Sequence, residues 1–261
     1  MRTARSGRTG LRGWHAVLFV VAFGATIVVM LPAHWAASAL EHATRGRVHI
    51  VAATGSPWRG GGELVVRVDG GEVALGGASW RFLPGRLLAG EFAMALHFDG
   101  LATGDAIVAR RISGLVLRDA QVTLPAAALA ARVAQLRGWS PGGTLVFRTP
   151  ALDLGPRGAA GGAELTWKGA STASAPLGDY HFVLQATPGT AAQVTIATLR
   201  GPLHLSAAGE VGPGGALRLH GTATPEPGYR DRLGPLLLAL GTDRGDGAVA
   251  FEIALPHRGP A

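Results

Sequence analysis

Gly114–Leu124 reads GLVLRDAQVTL, and its alternation decides the fold class. Leu115 and Leu117 oppose Val116, and then Val122 and Leu124 oppose Thr123. A period of two sends successive side chains to opposite faces, which describes a strand and not a helix. Pro125 ends the pattern and opens PAAALAARVAQLR. There Leu129, Val133 and Leu136 fall at i, i+4 and i+7, a helical stripe that Gly138 terminates.

The same texture extends upstream. Arg47–Ala53 (RVHIVAA), Glu63–Val68 (ELVVRV), Glu72–Leu75, Ala78–Phe82 (ASWRF), Glu91–Phe98 (EFAMALHF) and Asp105–Ala109 are short β-rich runs. Glycines at Gly55, Gly60–Gly62, Gly70–Gly71 and Gly76–Gly77 are expected to be the turns between them. Downstream the series resumes with Gly142–Phe147, Ala163–Trp167, Asp179–Ala186, Gln193–Leu199, Pro202–Val211 and Ala216–Ala223. Gly212–Gly215 (GPGG) reads as a hairpin turn. A second proline-opened helix, Pro227–Gly241, is expected to be interrupted at Gly234-Pro235, and a last alternating strand follows at Ala248–Leu255. Frequent turns between alternating runs predict a mainly β, antiparallel architecture.

The two halves echo each other. GGTLVF at Gly142–Phe147 answers GGELVV at Gly61–Val66, AELTW answers the strand ending in Trp80, and Leu-Pro-Ala recurs at Leu31 and Leu124. This predicts two similar helix-plus-strands units, β-rich unit 1 at 32–137 and β-rich unit 2 at 138–261. Together they are expected to build one curved, twisted antiparallel sheet with an apolar face. Its open edges would invite a partner strand.

At the other end of the chain, Trp14–Leu31 (WHAVLFVVAFGATIVVML) holds no charged residue. As a helix it reaches roughly 27 Å, close to the ~30 Å hydrocarbon core of a bilayer. It reads as a transmembrane helix at 14–31, with Trp14, Leu18, Phe19, Phe23, Ile27, Met30 and Leu31 as membrane-anchor residues. Arg2, Arg5, Arg8 and Arg12 precede it in a basic tail at 1–13, and the next base is Arg45. That asymmetry places the tail in the cytoplasm and the bulk of the chain beyond the membrane. A cleaved signal peptide ending near Ala37-Ser38-Ala39 is the competing reading, and a buried core helix is a third. The apolar run is long for a signal peptide, and Ala39 lies well beyond it. Pro32–Thr44 reads as a short juxtamembrane helix, with Trp35 either at the lipid boundary or packed on the sheet.

Composition narrows the function classes. The 261 residues include 40 glycines, 16 prolines and no cysteine, and only 16% are charged. Without cysteine there is neither a disulfide framework nor a thiolate metal site. The net charge of +7 invites a nucleic-acid reading. However, Lys168 is the only lysine, four arginines belong to the tail, and the others are scattered without a basic helix, so no nucleic-acid partner is expected. The nine histidines form no HExxH or His-x-His, there is no Gly-x-Ser-x-Gly elbow, and no phosphate loop carries Lys168. Glu63, Glu72, Glu91, Asp99 and Asp105 neighbour turns and read as solvated. Asp243 and Asp246 around Arg244-Gly245 hint at a salt-bridged turn. The expectation is a non-enzymatic protein without cofactor, metal site or catalytic residue.

Four segments carry a resemblance to a known family. They are LPAHW after the apolar stretch, GSPWRG with Gly55, Trp58 and Gly60, WRFLPGRLLAG with Trp80, Phe82 and Pro84, and PLGDYHF with Pro176, Leu177, Gly178 and Tyr180. Together they resemble type II secretion system protein N, with Ser56-Pro57 as a mild departure from the family's Gly-Thr-x-Trp. The resemblance implies an inner-membrane, single-pass protein with a periplasmic domain that supports export of folded proteins across the outer membrane. It also implies the outer-membrane secretin and bitopic inner-membrane subunits as partners. Trp58 and Trp80 are equally explained as hairpin core anchors. The alternative function is a periplasmic lipid-handling module, whose apolar groove would lie on the curved sheet.

Overall fold

The computed structural model describes residues 48–255 apart from 69–70, 131–139, 157, 174, 213–215 and 246, together with residues 33, 34, 38, 41, 42 and 46. The expected tail and transmembrane helix, with all their anchor and topology residues, lie outside the described residues, as do Trp35 and most of GPGG. No helix among the described residues is long and apolar enough to cross a membrane. Residues 33, 34, 38, 41 and 42 are helical, in keeping with the helix expected over Pro32–Thr44.

The chain forms one antiparallel sheet of 14 strands. The strands are β1 (Val48–Gly55), β2 (Arg59–Val68), β3 (Gly71–Phe82), β4 (Phe92–Gly100), β5 (Thr103–Arg111), β6 (Gly114–Pro125) and β7 (Gly142–Gly155). Then come β8 (Gly158–Ser171), β9 (Pro176–Ala186), β10 (Ala192–Arg200), β11 (Leu203–Val211), β12 (Leu217–Pro225), β13 (Thr242–Asp243) and β14 (Val249–Leu255). Each strand pairs with its successor until the end, where β14 inserts between β12 and the two-residue β13. Two α-helices lie between the strands: α1 (Ala126–Ala130), the first turn of the helix expected after Pro125, and α2 (Arg230–Leu240).

Directly opposed residues of antiparallel strands share a face, so register traces the two faces across the molecule. One row runs Val122, Phe147, Leu165, Phe182, Ile196, Ala207, Gly221 and Phe251. The neighbouring row, one residue along each strand, runs Gln121, Arg148, Glu164, Val183, Thr195, Ala208, His220 and Glu252. The apolar face continues into the first half through Phe82, Met94, Val108, Leu117 and Leu152. Local alternation has therefore been propagated by hydrogen-bonded register into a single two-sided sheet.

The apolar face is most deeply buried under α2. Leu233 and Leu237 pack there with Leu219, Ala223, Val249 and Phe251. Burying each leucine contributes about 1.5–3 kcal/mol. This anchoring carries α2 through Pro235, and the expected interruption at Gly234-Pro235 does not occur. Proline removes the hydrogen bond to the Asp231 carbonyl, but Pro235 lies on the exposed side while both leucines hold the helix down.

Two glycine expectations are also corrected. Gly60–Gly62 and Gly76–Gly77 are not turns: they lie within β2 and β3. Gly76 has φ of 101° beside a register shift at Leu64/Val65, and a Cβ there would stand 2.6 Å from the Gly100 Cα. It serves a bulge and a close backbone approach, joining the expected runs Glu72–Leu75 and Ala78–Phe82 into one strand. Likewise Gly114–Leu117 and Ala120–Leu124 are one strand, with a bulge at Asp119 (φ 44°).

Candidate functional site

The chain enters β1 at Val48, and that end of the strands is the near end. The far end carries the turns between β1 and β2, between β3 and β4, and between β5 and β6.

Trp58, Phe82 and Phe92 form an aromatic group at the far end. Trp58 meets Phe82 edge-on at 5.1 Å and Phe92 at 6.3 Å, and the two phenylalanines stand 4.8 Å apart. Local chemistry places them. Gly55, with φ of 88°, starts the turn that Ser56 N–H closes onto the Arg59 carbonyl at 2.9 Å. The Phe82 N–H then donates to the Trp58 carbonyl at 2.7 Å. Gly60 lies under the Trp80 indole, where a Cβ would be 2.6 Å from Cζ2; the indole Nε1 donates to the Ser56 carbonyl at 3.1 Å. Pro84 opens a 3-10 turn, Pro84–Ala89, closed by Gly90 in the left-handed conformation.

Behind this group, on the opposite face and beside the buried cluster of Ala93, Ala109 and Val116, lies a feature that contradicts the sequence reading. Glu91 is not a solvated turn residue: it is 2% exposed. Its Oε1 accepts from Arg111 Nε at 2.8 Å and from Arg118 Nη2 at 2.9 Å, with Arg111 Nη2 also donating to it. Arg86 Nη1 approaches Oε2 at 3.6 Å, and Arg111 Nη1 bonds Asp153 at 3.2 Å. The Arg111 hydrogen bonds hold the Glu91 carboxyl below its ordinary value; burial opposes this and Arg118 reinforces it. One carboxylate thus ties the 3-10 turn, the end of β5 and the body of β6 together. No local motif announces this, because the arginines that hydrogen-bond it are 20 and 27 residues away. The other four carboxylates of that expectation, Glu63, Glu72, Asp99 and Asp105, are exposed as expected. The Asp243 turn is closed by the Gly245 N–H donating to Oδ1 at 2.8 Å, with no Arg244 ion pair among the described residues.

The second signature segment is a core element near the other end. Tyr180 is fully buried, and its hydroxyl lies 2.9 Å from both the Leu177 and Leu203 carbonyls. Burial raises its pKa, so the phenol stays protonated well into alkali. Gly178, with φ of 133°, lets β9 approach Gly201, and Pro176 begins the strand. Next to Tyr180, Asp179 accepts from the Gly169 N–H at 2.6 Å and from Arg200 Nε at 2.5 Å. The Gly169 amide is the main cause of its lowered pKa. The structure therefore does not bring the signature residues into one site. Gly55, Trp58, Gly60, Trp80, Phe82 and Pro84 gather at the far end of the first strands, while Leu177 and Tyr180 are buried in the core of the later ones, Gly178 is half-buried and Pro176 is exposed at the start of β9.

Among the described residues no three His, Cys, Asp or Glu side chains converge as a metal site. The family model for type II secretion system protein N matches residues 46–252, a span running from the entry of β1 into β14. The chain belongs to that family. No curated protein and no solved structure gives a significant match. As a protein N family member the chain is a type II secretion component, and membership implies interaction with other components of that system. Both signature clusters fall inside the matched span, whereas LPAHW precedes it.

Proposed function

We propose that this protein N family member is an inner-membrane-anchored, periplasmic component that supports export of folded proteins across the outer membrane through protein–protein contacts. The family match over residues 46–252 carries the reading. The uncharged apolar stretch at 14–31 behind four arginines supports the anchor and the orientation. Residues 32–137 and 138–261 are then two periplasmic units of one sheet. The outer-membrane secretin and the bitopic inner-membrane subunits are its partners, and the role is structural rather than catalytic. A clean deletion tests this, with secreted hydrolases assayed in the medium and in the periplasm. Active enzyme trapped in the periplasm and released by the full-length gene is the expected result. Undisturbed secretion would sink the proposal.

A second reading draws on the continuous apolar face. Phe92, Leu115 and Leu154 on it remain 45%, 37% and 45% exposed. A face this large and incompletely covered suits hydrocarbon, so the sheet would handle lipid in the periplasm. Undisturbed secretion accompanied by a damaged outer-membrane lipid barrier after deletion would promote this reading over the first.

A further inference from the structure

The far end of the sheet carries apolar side chains where a soluble surface has no use for them. Ile112, at the tip of the β5–β6 hairpin, is 104% exposed, and Leu88 and Leu87 in the 3-10 turn are 96% and 52% exposed. These are tips standing proud of the strand ends rather than a flat patch. They are also rigidly held. Within the turn, Arg86 N–H donates to Leu83 O at 3.1 Å, Gly90 N–H to Leu87 O at 2.9 Å and Glu91 N–H to Arg86 O at 3.0 Å. Glu91 then faces Arg86 of that turn and bonds Arg111 beside Ile112, so one buried carboxylate fixes both tips to the same end.

Arginines predominate at this end; Asp105, which lines the same pocket as Arg59 and Arg81, is paired with His97 at 2.9 Å. Glu91 and Asp153 are already engaged by arginines, while Arg59, Arg81 and Arg110 are exposed and form no ion pair among the described residues. Arg59 and Arg81 are directly opposed across β2 and β3, a like-charge pairing that favours an anion between them. Apolar tips that need a fluid apolar medium, flanked by cations that need anions, are complementary to the interface of an anionic bilayer.

The geometry points to a membrane-contact rim at the far end of the sheet: Leu87, Leu88 and Ile112 insert among acyl chains while Arg59, Arg81 and Arg110 engage lipid phosphates. The near end leads back to residue 46. Strands β1 to β6, of 8–12 residues rising roughly 3.3 Å each, set the rim about 26–40 Å away. The inference rests on the rim's own residues and not on the secretion role.

The chain has no cysteine, so a single Ile112→Cys or Leu88→Cys substitution carries an environment-sensitive fluorophore to one known place. The full chain in zwitterionic nanodiscs is mixed with vesicles of phosphatidylcholine alone or of phosphatidylcholine with phosphatidylglycerol. Leu101→Cys, exposed at the near end, is the reference site. A blue shift at 112 and 88 but not at 101 is expected, only with the anionic vesicles and weakened by salt. Each Arg→Gln change at 59, 81 and 110 should lower vesicle affinity roughly fivefold, and the triple change on the order of a hundredfold. The salt series on the otherwise unmutated arginines gives the same answer without relying on the triple variant's folding. A label that stays in water with both vesicles overturns the rim. So does a shift that appears without vesicles and grows with protein concentration, which would make the occupant a second copy.

Discussion

Tyr180→Phe separates the hydroxyl of the buried tyrosine from its ring. The hydroxyl serves two carbonyls at 2.9 Å, but its one proton supports the equivalent of one good hydrogen bond. Thr198 also donates to the Leu203 carbonyl at 3.3 Å, which limits the damage. The loss at neutral pH should be about 1.5 kcal/mol, or roughly 3–6 °C in melting temperature for a module of this size. Alkali should reverse the order. The folded phenol's pKa is raised above the ordinary 10.0, so above that value the unfolded chain releases a proton that the folded chain retains. Wild-type stability then falls with rising pH by about 1.4 kcal/mol per unit. The two stability curves should meet near about pH 11, measured by thermal melts of the full chain across the alkaline range. A gap that stays constant from neutral to alkaline pH would refute the claim that this phenol is held protonated by burial.

Two further outcomes test the local arguments. Glu91→Gln should lower the melting temperature at neutral pH, where the carboxylate is ionised between Arg111 and Arg118. Because its folded pKa lies below 4.5, that contribution is present above 4.5 and disappears as pH falls through the folded value. Melts at descending pH should therefore converge, and a difference that persists in acid would show that packing rather than charge is at stake. Gly178→Ala should cost about 3 kcal/mol, since φ is 133° and a Cβ would lie 2.3 Å from the Arg200 carbonyl oxygen. Gly85→Ala, whose Cβ meets nothing within 4 Å, is the matched control. Equal melting temperatures for the two would contradict the close approach of β9 to Gly201.

Alternation, turn residues and the proline-opened helices determined the β class, the antiparallel order and the sharing of side chains between two faces. Those properties follow from each residue's near neighbours, because successive side chains on a strand must point opposite ways. The aromatic and tyrosine signature segments likewise marked the family, which the match over residues 46–252 bears out. What each glycine does was not local. Gly60 and Gly76 became strand residues because Trp80 and Gly100, from β3 and β4, press against their backbones. Glu91 shows the same limit for charge: beside Gly90 it reads as solvated, yet arginines from β5 and β6 close over it. Only the register of the sheet brings those cations within hydrogen-bonding distance. Only the tertiary structure, therefore, turned scattered arginines and leucines into a fixed, basic and apolar rim.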